Sequence, residues 1–142
     1  MDAKVYLRSW KELDRKKNRL KEQIAELEQL LYPGGIDYSR DRVQSSPDET
    51  TSKIVAEIME LEKRLTEVTK SCEERRYAIV KAIQKIQDSR YSEMLYKRYI
   101  KRMKYEDIAN EMHYSREHII RTIHSKALMA FEEANADALT DE

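Results

Sequence analysis

The sequence predicts an all-α protein: a long antiparallel helical hairpin of coiled-coil type, followed by a helix-turn-helix. Three observations carry this. All four Gly and Pro residues, Pro33, Gly34, Gly35 and Pro47, fall within one fifteen-residue stretch of the 142-residue chain, so both flanks are free to be helical. Apolar residues recur in steps of three and four on each flank. The chain is also 38% charged and 8% aromatic, with one Phe and one Trp, a composition that suits narrow apolar seams better than a large globular core.

The first helix is read from the seam Ala3, Tyr6, Trp10, Leu13, Lys17, Leu20, Ile24, Leu27 and Leu31, which holds a single charge, Lys17. Residues 32–47 form the loop. Ser46, Pro47 and Glu49 then supply an N-cap, a proline in the first helical turn and a capping-box acid, which predicts that the second helix begins near Pro47. Its seam runs through Ile54, Ile58, Leu61, Leu65, Val68, Cys72, Arg75, Ile79, Ala82 and Ile86, again with one charge. At roughly 1.5 Å per residue the two helices span about 43 Å and about 60 Å, so the second outruns the first. An apolar stripe of Ile79, Ile83 and Ile86 on that overhang has to be covered, by the C-terminal module or by another subunit, and it is assigned to oligomerisation. Lys17 and Arg75 fit a coiled coil that gives up stability to fix one register or oligomeric state.

The organisation read from the chain is thus a hairpin over residues 1–87, a helix-turn-helix over 88–131 and a flexible acidic tail over 132–142. In the second part, Ile108, Ala109 and Met112 form the apolar face of a short helix, with Ala109 small enough for close crossing, while Glu106, Asp107, Asn110 and Glu111 face water. Ser115 stands where the next helix needs an N-cap, and Ile119, Ile123 and Ala127 recur as its buried stripe. That leaves Arg116, Glu117, Arg121 and His124 facing outward to read base edges, with Arg121 the strongest candidate. Lys101, Arg102, Lys104, Tyr114, Ser115, Ser125 and Lys126 are assigned to phosphates. Tyr99 and Tyr105 fall on apolar faces and are read as core. Residues 88–131 carry nine Lys/Arg against six Asp/Glu, a net of plus three hidden within an overall charge of zero.

The residues Glu93-Met94-Leu95, Arg98-Tyr99, Glu106-Asp107-Ile108-Ala109, Tyr114-Ser115-Arg116-Glu117 and Lys126-Ala127-Leu128 resemble the fourth conserved region of bacterial sigma factors, which reads the promoter −35 element. Together with the charged helix near Trp10, the segment Gly34 to Ser39 and the run Arg42-Val43-Gln44-Ser45-Ser46-Pro47, the chain is similar to the ArpU/RinA-type phage transcriptional regulators. His113 stands where that pattern usually has a turn glycine and Lys104 where it has a capping threonine. One residue too many separates Ser115 from Lys126, a surplus that turns a helical face by about 100°. The resemblance implies an activator of a phage or prophage late operon that binds double-stranded DNA and recruits host RNA polymerase, while the seams imply a dimer or tetramer.

Other classes find little support in the sequence. There is no glycine-rich phosphate loop and no HExxH or GxSxG, so no enzyme and no cofactor are expected. Glu111, His113, His118 and His124 match no metal-ligand spacing, and the lone Cys72 excludes an internal disulfide. No apolar run has transmembrane length and the first residues lack a signal-peptide core, which places the protein in a bacterial host cytoplasm. Two alternatives from other classes are the DNA-recognition subunit of a phage packaging motor and a coiled-coil regulator that binds protein.

Overall fold

A computed structural model describes residues 1–32 and 49–140 of the chain, and every regular element among them is helical. The loop over 32–47 lies outside the described residues except for Tyr32, as do the Gly34–Ser39 and Arg42–Pro47 segments and all of the capping box but Glu49. Helix α1 runs Ala3–Leu31 and α2 Glu49–Gln84. They are followed by α3 (Ser89–Leu95), α4 (Tyr105–Met112), α5 (Arg116–His118), α6 (His124–Ala134) and α7 (Ala136–Thr140). Two π-helical turns interrupt this series, Tyr96–Ile100 continuing α3 and Ile119–Ile123 joining α5 to α6. No described helix is long and apolar enough to cross a membrane.

Contacts divide the chain into two compact units, Glu12–Cys72 and the combination of Met1–Lys11 with Glu73–Glu142. In the first, Leu20 and Ile24 of α1 and Ile58 and Leu61 of α2 form a buried apolar cluster, against which Leu27, Leu31, Ile54, Leu65 and Val68 pack. These are the positions that the three-and-four spacing marks, and burying each such side chain contributes roughly 1.5–3 kcal/mol. Lys17, the charge in the first seam, is paired with Asp14 at 3.2 Å, both side chains being less than a fifth exposed. Pairing with an acid one turn away lets a lysine sit at a seam position without leaving a bare charge there.

The second unit is built from both ends of the chain. Its fully buried side chains include Leu7 of α1, Ile79 of α2, Met94 and Leu95 of α3, Ile108 of α4, Ile119 and Phe131. Helix α3 packs chiefly on α6, and α4 on α5 and the second π turn. The Tyr6 ring lies 5.9 Å from that of Phe131, and the guanidinium of Arg75, the charge in the second seam, sits 5.6 Å over the same Tyr6 ring. Asn135 ends α6, its amide donating to the Ala82 carbonyl at 3.0 Å and to the Phe131 carbonyl at 3.1 Å. Residues 132–140 are mostly helical, with Asn135 and Leu139 buried.

The Ile79, Ile83 and Ile86 stripe corrects an expectation. These residues are 0%, 3% and 8% exposed within the single chain, so the protein's own second unit covers them and leaves nothing for another subunit to bury. Of the two covers open to an apolar overhang, folding supplies the intramolecular one. The cause is local: α2 stops at Gln84, and its last turn tightens through Lys85 N–H to Ala82 O (3.2 Å) and Ile86 N–H to Ile83 O (3.1 Å), delivering the chain to α3 three residues later.

Candidate nucleic-acid interface

The candidate surface is organised by two corners in which a non-glycine residue takes a left-handed backbone. The first closes the π turn Tyr96–Ile100, where Arg102 has φ 58° and Met103 N–H reaches back to Lys97 O at 3.0 Å. A left-handed residue with a Cβ costs roughly 1–2 kcal/mol, and neighbours hold this one in place. The Arg102 guanidinium stacks 4.3 Å from the Trp10 ring, and Arg98 Nη1 donates to Met103 O at 2.9 Å while its guanidinium lies 3.9 Å over Tyr105.

The second corner follows α4. Glu106 and Asp107 occupy the first turn of that helix, where the dipole favours acids, although Lys104 gives it no side-chain cap. His113 ends it with φ 60° and ψ 41°, and Tyr114 N–H closes onto Ala109 O at 3.0 Å. An imidazole thus occupies a left-handed helix end of the kind usually filled by glycine. Ser115 then takes an extended conformation and its hydroxyl accepts the His118 N–H at 3.1 Å, capping α5. Two residues, His113 and Tyr114, separate α4 from this cap.

Between α5 and α6 the backbone makes the π turn Ile119–Ile123. A π turn is a one-residue insertion absorbed within a helix, so the faces before and after it stay aligned. Ile119, Ile123, Ala127 and Phe131 are all buried along one side. Glu117, Arg121 and Ser125, spaced by four on the other side, are exposed, as are Arg116 and Lys126.

His124 corrects the expectation that it reads bases. It is 7% exposed, its Nε2 lies 2.7 Å from the Tyr99 hydroxyl, and its ring contacts Tyr99 and the edge of Tyr105. The reason is helical spacing: His124 adjoins Ile123 and stands three and seven residues before the buried Ala127 and Phe131, so it shares their side of the helix. Burial pushes the imidazole down to about 4, with the cations Lys4, Arg98 and Arg8 adding to the effect, and burial pushes the Tyr99 phenol up to about 12. At neutral pH the pair is uncharged, with the phenol donating when the imidazole proton sits on Nδ1.

The expected phosphate-binding residues occupy both segments. Lys101, Arg102 and Lys104 are exposed at the first corner, while Ser115, Ser125 and Lys126 are exposed around the second and beyond it. Tyr114 is half-buried, its ring 5.1 Å from that of His118. Nearby cations are occupied internally: Lys97 bridges Glu93 (3.3 Å) and Glu111 (3.1 Å), and Arg90 grips the Asp88 carboxylate through Nε (3.2 Å) and Nη2 (2.8 Å). The hydrogen bonds from Arg90 hold that carboxyl below its usual range, and Asp88 also caps α3 by accepting the Arg90 N–H.

Sequence reasoning missed the contribution of α1. Trp10 Nε1 donates to Tyr99 O at 3.0 Å, and a cavity of about 110 Å³ beside it is lined by Arg8, Lys11, Arg98 and Arg102. The available signal was the spacing of Lys4, Arg8 and Lys11 on one flank of a helix whose other flank carries Tyr6 and Trp10. Among the described residues no three His, Cys, Asp or Glu side chains converge to hold a metal ion.

The described residues define an all-helical class of protein, with two left-handed corners and an exposed, mixed-charge helix face. Within it, this chain belongs to the DUF1492 family, described as a protein of unknown function, whose model matches residues 35–132. No curated protein and no solved structure matches the chain significantly.

Proposed function

We propose that this protein binds specific duplex DNA and regulates transcription, acting as an activator that brings host RNA polymerase to a phage or prophage late operon. The observation that carries the reading is the α4–α5 corner, where the left-handed His113 and the Ser115 cap turn the chain in two residues between helices that pack on each other. Read this way, α4 is the supporting helix of a helix-turn-helix and the stretch from Arg116 to Ala134 is the recognition helix, following a helical hairpin formed by α1 and α2. A major groove about 12 Å wide admits one α-helix, and the exposed Glu117, Arg121 and Ser125 lie on the face such a helix would present. Arg121 suits a guanine edge and Glu117 the amino group of cytosine, with Arg116 beside them. Lys101, Arg102, Lys104, Tyr114, Ser115 and Lys126 would hold phosphates. The late operon and the polymerase come from the likeness to sigma region 4 and to the ArpU/RinA-type regulators.

One module of this size binds weakly, so the proposal includes a dimer or tetramer that reads half-sites about 34 Å apart. The test begins with selection of bound fragments from phage-carrying host DNA, followed by gel-shift titration of the selected duplex and a scrambled one. Arg121→Ala should cost about 1–3 kcal/mol on the selected duplex alone, whereas Lys101→Ala should weaken both alike. An unchanged specificity ratio in Arg121→Ala would refute the assigned face. With purified polymerase, repression of the selected promoter would remove activation while leaving DNA binding in place.

A further inference from the structure

The geometry points to a backbone-phosphate site formed by the first turns of α1 and the Tyr99–Arg102 corner, so that α1 is part of the surface that meets duplex DNA. This rests on the DNA-binding reading above and extends it to Arg8 and Lys11, which lie outside residues 35–132 matched by the family model.

The cavity of about 110 Å³ is lined by Leu7, Trp10 and Tyr99 together with Arg8, Lys11, Arg98 and Arg102. At roughly 30 Å³ per water molecule, it has room for a tetrahedral anion in place of a few waters. Among the described residues no carboxylate lines it. Arg8 and Lys11 stand three apart on α1, so both project from one helix flank towards the same opening. The other two cations are positioned by different means: Arg102 is stacked on Trp10 at 4.3 Å, and Arg98 is held between the Met103 carbonyl (2.9 Å) and the Tyr105 ring (3.9 Å).

The Tyr105 face holds the Arg98 guanidinium without neutralising it. Arg8, Lys11 and Arg98 thus bring three positive charges to the cavity, and an incoming anion relieves their mutual repulsion. Their field is felt at depth, since Arg8 and Arg98 help keep the buried His124 uncharged. A phosphodiester matches the donor set, because an arginine fork offers paired N–H groups to its two free oxygens. A duplex is favoured over a free anion because the exposed Lys101 and Lys104 continue the positive charge along the same corner, beyond the reach of a single phosphate.

Trp10 is the only tryptophan, so its fluorescence reports on the cavity directly. The experiment uses the full chain, a mixed-sequence duplex of about three helical turns, and inorganic phosphate as a second probe. Anisotropy of the labelled duplex is measured over a salt series alongside Trp10 emission. Wild type should bind the duplex with a Trp10 response that saturates in step with the anisotropy. Arg8→Ala/Lys11→Ala should bind several-fold more weakly to every sequence, with a salt slope smaller by roughly 1 to 2 at about 0.9 per neutralised phosphate, and with unchanged circular dichroism and melting. Arg8→Lys/Lys11→Arg should restore the slope. Duplex binding with a silent Trp10 and an unaltered slope in the alanine variant would overturn the site while leaving the DNA reading in place. A Trp10 response to inorganic phosphate but not to the duplex would overturn it in favour of a free-anion site. No binding of any duplex by wild type would remove the DNA reading and this site together.

Discussion

Lowering the pH should destabilise this protein through His124, by an amount that can be worked out from the structure. The imidazole is 93% buried and held at about 4 against an ordinary 6.5, with burial the main cause. Between those two values the unfolded chain binds a proton that the native chain refuses, so stability is complete above about pH 6.5 and falls as the pH drops towards 4. At 1.36 kcal/mol per pH unit, a span from 6.5 to about 4 is worth roughly 3 kcal/mol. The bond at stake is the one between the Tyr99 hydroxyl and Nε2, 2.7 Å apart, which loses its acceptor when the ring is protonated. Urea unfolding followed by circular dichroism, from neutral pH down to about pH 4, should be run on wild type and on His124→Gln, which keeps an acceptor for the phenol but does not titrate. The many carboxylates titrate in both proteins and largely cancel in the difference. The advantage of wild type should therefore shrink by roughly 3 kcal/mol across the window; an advantage that stays constant with pH would refute the reasoning.

Three further outcomes are expected. Ile79→Glu places an unpaired charge in the interior of the second unit and should cost several kcal/mol, seen as loss of helical dichroism and of cooperative unfolding; stable, fully helical monomers formed from a wild-type oligomer would return that stripe to a role between subunits. Ser115→Ala removes the acceptor for His118 N–H and should lower stability by about 1 kcal/mol in denaturant titration, with faster amide exchange confined to α5 and the π turn. His113→Gly should raise stability by about 1 kcal/mol, because the left-handed conformation no longer strains a Cβ; a lower melting temperature would show that the imidazole contributes more than its backbone costs.

Most helices were legible because their spacing is regular. Leu20, Ile24, Ile58 and Leu61 stand where the heptad pattern puts them, and Ser115 caps where a serine ahead of an apolar stripe should. What could not be read comes from departures that leave no compositional mark. A π turn carries no residue signature of its own, so Ile119–Ile123 looks like any α-helical run. The left-handed corner at Arg102 contains no glycine, and its support comes from Trp10, ninety-two positions earlier in the chain. The fate of Ile79, Ile83 and Ile86 was open for the same reason: periodicity says that a face must be covered but not by what.

The contact between Trp10 and the Tyr99 carbonyl joins residues 89 apart in sequence, and the unit it belongs to takes its first strip of chain from residues 1–11 and the rest from Glu73 onward. That has a consequence for how the chain is made. At about 5–20 residues per second on the ribosome, Leu7 and Trp10 emerge roughly 5 to 20 seconds before the residues that will cover them. In that interval the cluster of Leu20, Ile24, Ile58 and Leu61 can already close, since both of its halves leave the ribosome early. The order of synthesis thus completes the inserted unit first and leaves the flanking one to be closed last, with the amino-terminal strip kept waiting as bait for the carboxyl-terminal helices.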